Sequence, residues 1–68
     1  MTVTIKSAHI GNYYIEISQD KYENAYKVTA DEKRGGQFYP VNENTYPDIK
    51  KANARFNYLV RKATRNEF

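Results

Sequence analysis

The chain opens on an alternation. Thr2-Val3-Thr4-Ile5-Lys6 switches between polar and apolar at every step, and β-branched residues at that period predict a strand over about 2–8. Ile10-Gly11-Asn12-Tyr13 reads as a hairpin, because Gly and Asn tolerate the positive φ of two-residue primed turns. A second strand over 13–18 puts Tyr13, Ile15 and Ile17 on one face, and polar Gln19 to Glu23 makes a loop. A third strand over 24–30 places Tyr26, Val28 and Ala30 on one side, with Lys27 and Thr29 on the other. The charged run Asp31–Gly36 predicts a turn, followed by a fourth strand over 37–41. Pro40 has no N–H to donate, which puts that strand at a sheet edge. Phe38 points away from Tyr39 and Val41, so the pattern leaves its buried face open.

After a loop over 41–44 the period changes from two to three and four. Thr45 reads as an N-cap, Pro47 as a first-turn residue, and Asp48 as the N3 member of a capping box. Ile49, Ala52, Phe56, Leu59, Val60 and Ala63 then fall within an arc of about 100° on a helical wheel. The helix is expected over about 46–65, with that stripe on the sheet. The predicted fold class is α+β: a three- to four-stranded antiparallel meander followed by one C-terminal amphipathic helix, in a single domain over 1–68.

Composition limits what such a domain can rely on. At 68 residues there is room for one core, and a chain this short buries only about 60% of its unfolded surface. With no cysteine and one histidine, neither a disulfide nor a zinc site offsets that, so packing must. No run approaches the roughly 18 apolar residues of a membrane span, and Met-Thr-Val-Thr-Ile-Lys lacks the apolar core of a secretory signal. A cytoplasmic location is expected. The abundance of Lys, Asn, Ile and Tyr suggests a bacterial or phage source.

Catalysis fits this inventory poorly. His9 stands beside no cysteine and reads as an exposed loop residue. Asp20, Glu23, Asp31 and Glu32 fall in predicted turns, where solvation is the usual purpose of a carboxylate. Gly35-Gly36 matches no phosphate-binding fingerprint. The expectation is a non-enzymatic domain with no cofactor and no metal.

Charge changes the picture more. Residues 49–68 hold six cations against Glu67 alone, whereas residues 1–48 are slightly acidic. On the wheel Lys50, Lys51, Arg55, Arg61, Lys62 and Arg65 lie opposite the apolar stripe, with Tyr58 near the centre of their arc. Arg61, Lys62 and Arg65 complement the helix dipole, but Lys50 and Lys51 sit at its positive end. Lys51/Arg55 and Arg61/Arg65 are also like-charge pairs that cost roughly 0.2–0.5 kcal/mol each. A face arranged only for solubility would mix in Glu. This one is therefore the candidate contact for nucleic acid, or otherwise for an acidic protein partner.

The seven tyrosines are the second feature. Tyr13, Tyr26 and Tyr22 are assigned to the core. Tyr14 and Tyr39 are placed on the open face of the sheet with Thr2, Thr4, Lys6, Lys27, Thr29, Glu16 and Asp31. There they form a possible secondary contact, together with Lys33 and Arg34 of the charged turn. The competing function is a protein-interaction or inhibitor domain using that face or the Pro40 edge, as a monomer or weak homodimer.

Tyr26-Lys27-Val28, the Lys33–Gly36 turn, Phe38-Tyr39 and the helix with Ala52, Phe56 and Leu59 resemble the strand–strand–helix pattern of small DNA-binding domains. Plant AP2 domains and the arm-binding domains of phage-type integrases are examples. That resemblance implies a sheet entering the major groove with the helix behind it. The expected reading face departs from those families in having no Arg or Trp, and the cations are on the helix instead.

Overall fold

The computed structural model describes residues 2–68. Four strands, β1 (Thr2–Ile10), β2 (Tyr13–Asp20), β3 (Ala25–Arg34) and β4 (Gln37–Tyr46), precede one helix, α1 (Ile49–Thr64). The strands form one antiparallel sheet in the order β1-β2-β3-β4. This is the expected α+β meander with its terminal helix. The shortest molecular dimension is 15 Å, room for two layers, so the sheet face away from α1 is bare.

The turn chemistry is written in the glycines. Gly11 adopts φ 58° while Asn12 stays out of the left-handed region, as a turn with glycine at its first central position requires. Gly35 and Gly36 both have positive φ, 56° and 83°, the form in which both central residues are left-handed. A substituent at either would be strained. The turn is only that pair. Asp31 to Arg34 belong to β3, so the charged run is strand rather than loop, and His9 likewise lies in β1.

The core lies between the helix and the β2–β3 centre of the sheet. Tyr13, Ile15, Ile17, Val28, Ala30, Ala52, Phe56, Leu59 and Ala63 are buried together, and Tyr26, Tyr46, Val41, Ile49, Val60 and Phe68 pack around them. Every member of the predicted helical stripe is buried or partly buried. Tyr22 corrects the core assignment: it is 86% exposed, because Lys21 to Asn24 form the turn between β2 and β3.

Two β-bulges redistribute the faces. At Ile5 the β1–β2 register steps from Thr4↔Ser18 to Lys6↔Ile17, so residues beyond the extra one change sides. Lys6, expected on the open face, is instead on the helix side, its ammonium 4.9 Å from the Phe56 ring centre. At Val41 the β3–β4 register steps from Ala30↔Asn42 to Asp31↔Pro40. Phe38, opposite Lys33, then faces the bare side. Tyr39, opposite Glu32 and in line with buried Tyr13, faces the helix side. Its expected place on the open face is thus corrected. Pro40 and this bulge also blunt β4 as an edge for further strand pairing.

Strand β4 runs five residues beyond its predicted end, to Tyr46, because Asn42 to Tyr46 complete the ladder with β3. The helix accordingly begins later than expected. Its N-cap is Asp48, not Thr45: the Asp48 side chain accepts from the Lys50 N–H at 2.8 Å, while Thr45 is still paired with Lys27 in the sheet. Asp48→Ala should therefore destabilise the domain by about 1 kcal/mol and Thr45→Ala by less. Urea midpoints compare the two, and the reverse order would contradict this start.

At the other end Asn66 adopts φ 56°. The Asn66 N–H bonds to the Ala63 carbonyl and the Glu67 N–H to the Lys62 carbonyl, each at 3.0 Å, the paired bonds of a Schellman cap. The cap reverses the chain, so Phe68 docks on Tyr13 with ring centres 4.7 Å apart. The Tyr13 hydroxyl donates to Asn66 Oδ1 at 3.3 Å. Burial, helped by nearby Glu32, raises the Tyr13 pKa.

Candidate functional site

Helix α1 is about 24 Å long, and its outer side carries the predicted cations. Lys50, Lys51, Arg61 and Arg65 are exposed, Arg55 and Lys62 partly shielded. Among the described residues only Arg65 of these six has a carboxylate partner, Glu67. The other ion pairs lie on the sheet, Lys27 with Glu43 at 3.2 Å and Arg34 with Glu32 at 2.5 Å.

Lys51, Arg55, Tyr58 and Lys62 recur at four, three and four residues and form one row. Tyr58, 39% exposed, organises its middle. The Arg55 guanidinium carbon lies 4.9 Å from its ring centre and the Lys62 ammonium 5.8 Å, both within cation–π range. Lys62 also lies 5.3 Å from the Phe68 ring centre. Arg55 is tethered further by donating from Nη2 to Asn42 Oδ1 of β4 at 3.1 Å, while its buried Nε has no acceptor. Arg55 and Lys62 are thus held in place. Lys50, Lys51 and Arg61 are the free-standing charges.

The secondary candidates do not join this face. Tyr14 and Lys33 are on the bare side of the sheet, Tyr39 and Arg34 on the helix side at the far hairpin. Arg34 is occupied by Glu32. Two contributors escaped the sequence pattern. Asn42, which tethers Arg55, sits in a stretch that reads as loop, and Lys6 reaches Phe56 only because of the bulge at Ile5.

The bare face has the opposite character. Glu16, Asp20, Asp31 and Glu43 share it with Lys27 and Lys33, and Lys27 is taken up by Glu43. Burial holds the Asp31 carboxyl above its usual range, and Glu16 on β2 and Glu43 on β4 add like-charge repulsion. A carboxyl whose folded pKa is raised lowers stability as pH climbs from its unfolded value, about 3.9, through the folded one. Above that the loss is constant. Asp31→Asn is expected to remove this slope and to be at least as stable as the parent at neutral pH. Urea midpoints at about pH 4 and pH 7 test this, and a variant weaker at neutral pH would contradict it.

Compared with known protein families, curated proteins and solved structures, the chain matches none. No helix among the described residues is long and apolar enough to cross a membrane.

Proposed function

We propose that this domain is a non-enzymatic binding module that contacts nucleic acid through the outer face of α1, with Lys50, Lys51, Arg55, Arg61, Lys62 and Arg65 on phosphates and Tyr58 among them. The observation that carries the reading is that, among the described residues, five of these six cations have no carboxylate partner, although the chain contains eight acids. Lys50 and Lys51 sit at the end of the helix where the dipole disfavours them. Their cost is offset if a polyanion binds there.

Contacts of this kind are largely independent of sequence and weaken with salt. The acidity of the bare face argues against the docking mode of the AP2-like domains, in which the sheet enters the groove. Here the helix side would face the nucleic acid. Titration of the full chain against duplex and single-stranded DNA at low and moderate salt tests the proposal. Binding that weakens steeply with salt is expected, and no binding at low salt would end it.

A further inference from the structure

Independently of the helix, the bare face of the sheet carries a shallow notch of about 270 Å³ lined by Tyr14, Asp31 and Phe38. Its two walls are aromatic, with ring centres 6.4 Å apart and planes inclined by 65°. His9 extends the row, edge-on to Tyr14 at 6.2 Å. Phe38 is 50% exposed although it lies within a strand. The bulge at Val41 fixes it on this side, where nothing in the fold covers it.

We propose that this notch receives the guanidinium of an arginine presented by a basic segment of a protein partner. A planar guanidinium can lie against an aromatic wall while its N–H fork meets a carboxylate. Asp31 supplies that carboxylate and has no ion-pair or hydrogen-bonding partner among the described side chains. The surroundings complement a cation in charge: Glu16 and Asp20 are on the same face, and Lys27 is already engaged by Glu43. Among the described residues Lys33 is the one unengaged cation there, opposite Phe38. A nucleic acid would meet net repulsion on this side. The basic face of a second copy is a different occupant. The two faces lie on opposite sides of one chain, so such docking would be head-to-tail and would build rings or filaments rather than a two-fold dimer.

The test is an NMR titration of the full-length chain with a blocked peptide of alternating arginine and glycine, beside its lysine counterpart. Saturable shifts centred on Tyr14, Asp31 and Phe38 are expected, with arginine binding more tightly than lysine. Phe38→Ala should weaken arginine binding about two- to fivefold. Asp31→Asn should weaken it by a similar factor. Thermal melts establish that both variants are folded, and neither substitution lies in the helix face. Shifts spread evenly over all carboxylates, equal for the two peptides and indifferent to Phe38→Ala, would overturn the proposal. So would notch shifts that grow with protein concentration alone alongside rising mass, since a second copy would then be the occupant.

Discussion

Leu59→Ala is expected to cost about 3 kcal/mol and to lower Tm by roughly 12–24 °C. Leu59 has no exposed surface, and with Ile15, Ile17 and Val28 it is among the largest fully buried side chains. It stands in the middle of the stripe that joins the helix to the sheet. Truncation there leaves a cavity that the β2–β3 strands, held by their ladder, cannot collapse to fill. The loss is severe because a domain of this length has only about 3–10 kcal/mol in total, with no disulfide to limit the unfolded chain. Ile5→Ala is the control. Ile5 is similarly apolar but 45% exposed at the β1 bulge, and its loss should stay within about 0.5 kcal/mol. Thermal or urea unfolding of the two variants measures the contrast. Equal effects would mean that the helix stripe is not what holds the layers together.

That stripe was legible in the sequence because burial on a helix imposes one period on one segment. Ile49, Ala52, Phe56, Leu59, Val60 and Ala63 satisfy it without interruption. The inward faces of β2 and β3 were legible for the same reason. What escaped depends on partners far along the chain. Asn42 to Thr45 are polar and read as loop, yet the β3 backbone draws them into the ladder. Their inward positions are Asn42, which accepts from Arg55, and Asn44, whose Oδ1 is buried without a hydrogen-bond partner among the described residues. The late helix start follows from this, since Tyr46 is still paired with Tyr26 and leaves Asp48 to cap.

A bulge adds one residue and reverses every side chain beyond it. Two of them moved Lys6 and Tyr39 off the face that simple alternation gives them. Asn66 carried a readable signal: an Asn just past a helical run is a known left-handed stop. On the candidate site, the arc of cations was visible because the wheel was. The tether of Arg55 was not, because it depends on β4 passing beneath the helix.

The distinction between tethered and free cations decides which variant tests the proposed nucleic-acid contact. Lys50, Lys51 and Arg61 are exposed and unpaired, so replacing all three by Gln removes charge with little packing. The five cations without a carboxylate partner, tethered or free, each displacing one counterion from duplex DNA, give a log–log salt slope of about −4.5, and the triple variant about −1.8. Between about 50 and 200 mM salt the parent should lose roughly 500-fold in affinity and the variant only about tenfold. Stability should not follow affinity. Removing Lys50 and Lys51 relieves the unfavourable charge at the helix start, and the Lys51/Arg55 and Arg61/Arg65 repulsions vanish. Loss of the favourable Arg61–dipole contact opposes these gains, so the urea midpoint should hold or rise slightly. Weaker binding with an unchanged or higher midpoint separates a contact surface from a folding requirement. An unaltered salt slope in the triple variant would place any nucleic-acid binding on some other part of the chain.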